Sequence, residues 1–309
     1  MNEGRNNPRA VGVDGDKPVM KRRDCLKACI VVMAGMAVSP LQSSQLRVAG
    51  QKIKRQLRFN LTLTNPKAFE LVNQTLWFYL PATNTTTQQL ESIKVSVPYA
   101  QSTDTLGHSI LTLDFPRFAP LAIKAISVVV NVELEPKPAS SILENTQAWL
   151  KPERYIETTD PNIQALAAKL KSQNLSDTAL NIYNWLKENL HFMGYLADDR
   201  GALNALKMLQ GDCTEYAYLA VALARANGIP GRMVGGYVTD KNTTLQATDY
   251  HNWAELYFDG AWHLLDAQKE HWLAPVDQYV AFRFYSDEKI NPIGSAHRYN
   301  QSGDLEISF

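Results

Sequence analysis

The chain has 309 residues, 45% of them hydrophobic and 20% charged, ordinary proportions for a folded protein of about two domains. With 31 basic and 31 acidic residues its formal net charge is zero, so no basic field points to nucleic acid. Beyond the N-terminus there is no run of 18 apolar residues, and no internal membrane span is expected.

Residues 1–37 are expected to be an export signal. Arg22-Arg23 is followed by Leu26 and Lys27, then by a moderately apolar run from Ala28 to Val38. That run is too short to cross a bilayer and suits a signal sequence. The Arg-Arg pair with Leu-Lys behind it resembles a bacterial twin-arginine signal, which implies a periplasmic or extracellular protein without stable membrane insertion after cleavage. The alternative is an uncleaved N-terminal anchor. Losing residues 1–37 leaves 24 basic and 27 acidic residues and removes Cys25 and Cys29. The mature chain then holds one cysteine, Cys213, and can form no intramolecular disulfide.

Residues 52–136 read as strands. QLRFNLTLTN (56–65) alternates apolar and polar residues; LWFYLPA (76–82), SIKVSVPYA (92–100), SILTLDF (109–115) and AISVVVNVEL (125–134) follow, with Pro, Asn, Asp and Gly between them. Short strands at this spacing predict an antiparallel β-sandwich. It carries no titratable cluster, which suits a packing or binding module. Pro136 and Pro138 end the strands, and residues 137–159 are expected to be a linker.

Residues 160–309 read as a second domain. Asp160-Pro161 opens a helix with proline at its first position. Ser176-Asp177 opens another, on which Ala179, Ile182, Tyr183, Leu186 and Leu190 share a face. A third begins at Cys213 and closes at Gly228, ahead of Pro230. GRMVGGYV (231–238), NWAELYF (252–258) and AWHLLDA (261–267) then read as strands. Helices followed by an antiparallel sheet place the domain in the α+β class.

Cys213 sits in LQGDCTEYA (209–217), at the mouth of the third helix. A helix N-terminus favours thiolate, Gly211 allows a sharp entry turn, and Asp212 opposes ionisation unless its side chain points away or caps the helix. A nucleophilic thiol also needs a base, and the base needs a partner. Asp259-Gly260 is a favoured two-residue hairpin turn. With that turn Phe258 opposes Ala261 and Trp253 faces Asp266. His251 then lies diagonal to Asp266 on one face, at about 7–8 Å between Cα atoms. His263 falls on the opposite face. A three-residue loop would invert this parity. Of the six histidines, His251 alone acquires an acid partner by this reasoning, so Cys213, His251 and Asp266 are the candidate catalytic set. Trp253 and Glu255 share the His251 face, Arg232 reads as structural, and Asp198, Asp199 and Arg200 as a solvated loop. Trp185 is a candidate oxyanion donor whose place on an amphipathic helix suits core packing better. No pair of residues has a structural zinc spacing, and no cofactor or metal is expected.

Taken together, Gly-x-Cys at 211–213, Gly-Ile-Pro-x-Arg at 228–232, HNWAEL (251–256) and AWHLLDA (261–267) resemble the core of the transglutaminase-like superfamily, papain-like cysteine enzymes, over roughly residues 145–285. The resemblance implies helices packed on an antiparallel sheet, with an N-terminal sandwich as in some bacterial members. It also implies Cys213 as nucleophile, His251 as general base and acid, and Asp266 as the residue orienting His251. The animal calcium-dependent cross-linking enzymes have Gln before the cysteine and Trp after it; here Asp212 and Thr214 stand there, and no dense acidic calcium loop occurs. The prokaryotic branch is the nearer likeness. The expected activity is acyl transfer from amide bonds of peptides or proteins, to water or to an amine. The alternative is an inactive domain of this type serving as a binding scaffold.

Overall fold

The computed structural model describes residues 51–83 and 85–309. The expected signal, with Arg22, Arg23, Cys25 and Cys29, lies outside the described residues.

The first half is a sandwich of two antiparallel sheets, as the alternating segments predict. Its strands are β1 (Ile53–Thr64), β2 (Leu71–Leu80), β3 (Gln88–Val95), β4 (Ala100–Thr103), β5 (Ser109–Phe118) and β6 (Ile123–Leu134). One sheet has β1 paired with β6 and β6 with β3; the other has β2 paired with β5 and β5 with β4. Period-two alternation turns Leu57, Phe59, Leu61 and Leu63 of β1 inward against Ile126, Val128, Val130 and Val132 of β6.

Four helices come next: α1 (Pro161–Leu170), α2 (Leu175–Asn189), α3 (Ala202–Met208) and α4 (Cys213–Ala226). Asp160 caps α1 by accepting the Asn162 N–H. Asn174, rather than Ser176, caps α2, because its carboxamide oxygen accepts the Asp177 N–H at 2.7 Å. The strand pair β7 (His191–Phe192) and β8 (Gln210–Gly211) runs parallel just before α4. Helix α4 is buried along nearly its whole length, from Thr214 to Arg225, which is why its sequence shows no polar face.

The helices pack on an antiparallel sheet built from β9 (Gly231–Val238), β11 (Tyr250–Phe258), β12 (Ala261–Asp266), β13 (His271–Trp272) and β14 (Tyr279–Phe284), in the order β13-β12-β11-β9-β14. The chain then returns to the sandwich. Strands β15 (Tyr299–Ser302) and β16 (Glu306–Ser308) pair with β2 and β1, and β10 (Thr243–Thr244) lies parallel to β1. Val280 and Phe282 of β14 enter the sandwich core.

Segment 137–159 is strapped to its surroundings. Ser141 N–H donates to Gly260 O, Ile156 is fully buried, and the Arg225 guanidinium bonds both Lys151 O and the Glu153 carboxylate. Among the described residues, no helix is long and apolar enough to cross a membrane.

Candidate active site

Cys213 occupies the first position of α4, and its flanking residues explain how the chain enters there. Asp212 is the N-cap: Oδ1 accepts the Thr214 N–H at 2.7 Å and Oδ2 accepts the Leu196 N–H at 2.9 Å. Glu215 completes the capping box by accepting the Asp212 N–H at 3.2 Å, and its other oxygen accepts the Arg200 N–H at 2.9 Å. A Cβ at position 211 would overlap the Glu215 Cβ. The glycine two residues before the cysteine is therefore demanded by the folded capping box.

The β11–β12 hairpin has the register read from its turn. Asp259 and Gly260 have φ of 50° and 75°, both left-handed as a type I′ turn requires, and pairing runs from Phe258↔Ala261 to Ala254↔Leu265. At its open end His251 Nε2 lies 2.6 Å from Asp266 Oδ2. A carboxylate only accepts, so Nε2 carries the proton and Nδ1 is left to receive one. Across β9, His251 pairs with Gly236 and Asn252 with Gly235. A Cβ on Gly235 would overlap the Tyr250 hydroxyl, and one on Gly236 the Val280 carbonyl oxygen; the Gly-Gly pair lets these neighbours close in behind the histidine.

Cys213, His251 and Asp212 line one open cleft of about 490 Å³, with Phe192, Tyr195 and Lys269 at its walls. The structure thus puts His251 in hydrogen-bond contact with Asp266, and Cys213 and His251 on the wall of a shared cleft. Thr214 Oγ1 accepts from Asn252 Nδ2 at 2.9 Å, and the same nitrogen is 4.0 Å from Cys213 Sγ, tying the helix mouth to β11.

Burial and charge work against the pull of the helix mouth. Burial, and after it the Asp212 carboxylate, push the Cys213 thiol up to about 12, while weaker hydrogen bonds from the Asn252 main chain and Thr214 work the other way. Capping occupies lone pairs of Asp212 but leaves its charge beside the sulfur, opposing the thiolate that the helix mouth favours. Asp266 is shifted oppositely. Burial would raise it, but His251, Tyr279 and the Lys269 N–H together hold it below the usual carboxylate range, so it stays an anion facing the imidazole.

Other sequence candidates take structural places. Trp253 is buried, its ring 6.3 Å from His251 and nearly parallel to it. Glu255 and Arg232 form a buried ion pair at 2.6 Å, with the guanidinium stacked on Trp262 and Phe284. Trp185 packs against the helical core and Asp199 binds the Tyr218 hydroxyl and His297; neither lines the cleft. His263 stacks on Phe258, and His108 is held by Asp104 and Phe284. Sequence reasoning passes over Tyr279, whose hydroxyl donates to Asp266 Oδ2 at 2.7 Å, and His271, whose Nδ1 is 2.7 Å from that hydroxyl. The one available signal was that His271 follows Asp266 across a short turn and can pair beside it, as β13 does.

The mixed α+β fold is similar to that of known proteins. Residues 164–267 match the family model of the transglutaminase-like superfamily. A solved structure of a candidate cysteine protease from Cytophaga hutchinsonii is similar at a TM-score of 0.55 and 19% identity, covering 84% of this chain and 92% of that one. The periplasmic domain of TgpA from Pseudomonas aeruginosa aligns at a TM-score of 0.39 and 18% identity, over 66% of this chain and 72% of that one. An uncharacterized protein of Mycobacterium leprae is 24% identical over 204 residues, 60% of this chain and 71% of that protein.

Proposed function

We propose that the protein is an exported cysteine-dependent enzyme that transfers the acyl group of a peptide or protein amide through a thioester on Cys213. The observation that carries this reading is the buried His251–Asp266 pair at 2.6 Å opening onto the cleft that also exposes Cys213. His251 Nδ1 takes the thiol proton as sulfur attacks the amide carbonyl. The C–N bond then breaks, the amine leaves with the proton from His251, and the acyl group stays on sulfur. Water or a second amine attacks the thioester, returns a proton through His251 and frees the thiol, giving an acid or a new amide. Asp266 stabilises the imidazolium formed on the way. The Cys213 N–H, in the first turn of α4 where no intrahelical acceptor exists, is one donor for the oxyanion.

Export rests on the Arg22-Arg23 segment. Arg22→Lys with Arg23→Lys should retain the precursor in the cytoplasm, and unchanged secretion would remove the twin-arginine reading. The activity is tested by incubating the chain with peptide libraries and a labelled amine, read by mass spectrometry. Cleavage or amine incorporation that vanishes in Cys213→Ala supports the enzyme. No product from the wild type would leave the scaffold reading, and products that persist in that variant would remove Cys213 from the mechanism.

A further inference from the structure

We infer that Tyr279 and His271 are positioning residues that hold Asp266, and through it His251, in the protonation pattern acyl transfer needs. This rests on the reading just proposed. The hydrogen-bonded chain is continuous: His271 Nδ1 is 2.7 Å from Tyr279 Oη, Tyr279 Oη is 2.7 Å from Asp266 Oδ2, and Asp266 Oδ2 is 2.6 Å from His251 Nε2.

The direction of every proton in it follows from one fact, that the carboxylate can only accept. Tyr279 therefore donates its single O–H to Oδ2. Its oxygen can then only accept, so His271 carries hydrogen on Nδ1. His251 donates from Nε2 to the same Oδ2, which leaves its Nδ1 bare for the thiol proton. The other oxygen, Oδ1, accepts the Lys269 N–H at 3.0 Å. The carboxylate is thus clamped by three donors and cannot rotate away from His251.

Packing fixes the clamp. Tyr279 is buried, and its ring meets Trp253 edge-on at 5.0 Å, while Trp253 lies along His251. His271 is half-buried on β13 and pairs directly with Asp266 across β12. The phenol remains protonated throughout, since burial and then the Asp266 charge raise its pKa. The other titratable groups that interact with Asp266 are Cys213 from α4 and Tyr183 from α2.

Sharing Oδ2 between two donors has a consequence. Each hydrogen bond to the carboxylate weakens its hold on the other. Without the Tyr279 hydroxyl, Oδ2 keeps the His251 N–H as its one remaining side-chain donor, and that hydrogen bond tightens.

The test is imidazole nitrogen NMR on the full chain, which needs no substrate, followed by kinetics on the best peptide from the library. In the wild type His251 should show hydrogen on Nε2. Tyr279→Phe should move the His251 Nε2–H proton resonance downfield as its hydrogen bond to Asp266 tightens, and lower kcat about tenfold with KM little changed. His271→Leu should follow Tyr279→Phe, whereas His271→Asn, which keeps a donor in place of Nδ1, should shift less than half as far. Should Tyr279→Phe fail to fold, the two His271 variants decide alone. An unmoved His251 N–H resonance in Tyr279→Phe, or equal shifts in His271→Asn and His271→Leu, would overturn the inference. Activity surviving Cys213→Ala would instead remove Cys213 from the mechanism and leave the NMR result standing.

Discussion

Iodoacetamide is expected to alkylate Cys213 slowly at neutral pH, and the rate follows from the burial of the sulfur. With the thiol pushed up to about 12, the thiolate fraction at pH 7 is about 10⁻⁵. An unperturbed thiol near 8.5 is about 3% ionised at that pH, so Cys213 should react about 10³-fold more slowly than a free cysteine. Its rate should climb about tenfold per pH unit up to the top of the accessible range. Asp212→Asn keeps an oxygen for the Thr214 N–H while removing the charge second in importance for the shift, so it should speed alkylation at pH 8. Mass spectrometry of the alkylated peptide across pH 5–10 measures both. Alkylation at pH 6 as fast as a free thiol's, and abolished by His251→Ala, would refute the reasoning: the imidazole would then hold the thiol proton at rest and outweigh burial.

Asp266→Asn should fold normally yet cut turnover on the order of 10³-fold, because a neutral amide neither fixes the His251 tautomer nor stabilises the imidazolium; an unchanged kcat would make Asp266 purely structural. Gly236→Ala drives a Cβ into the Val280 carbonyl oxygen and to 3.0 Å from the Trp253 ring, and a backbone atom cannot swing aside. A loss of about 3 kcal/mol is expected, seen as a melting temperature lower by roughly 6–12 °C; no change would mean that β14 shifts freely. Burial, reinforced by Asp212, pushes Glu215 up to about 7 from an ordinary 4.5. The folded state thus binds its proton more tightly than the unfolded state. That stabilisation is complete below about pH 4.5 and disappears as pH rises through about 7. Glu215→Gln should flatten the stability curve across this window in denaturant titrations, and an unaltered slope would place the titrating group elsewhere.

Local chemistry explains why so much of the candidate site could be placed before the fold was known. An Asp-Gly turn admits few hairpin geometries, so a two-residue count converts directly into register and delivers His251 to Asp266. Capping is equally local: Gly211, Asp212 and Glu215 lie within one turn of Cys213 and mark the helix start without any distant contact. The sandwich strands show themselves by alternation. Short elements do not. Helix α3 and strands β4, β10, β15 and β16 have from two to seven residues, too few for a period to stand out from noise.

Features whose cause lies within a few residues are legible in the chain: the helix mouth at Cys213, the hairpin register, and the alternating strands of the first half. Long-range folding fixes the return of the C-terminal strands to β1 and β2, the Tyr279–His271 clamp behind Asp266, and the burial that raises the Cys213 thiol. Strand pairing across more than 200 residues leaves no mark at either end of the chain. How far the thiol is raised depends on how much water the whole fold removes from around a half-buried sulfur, a quantity no neighbouring residue encodes.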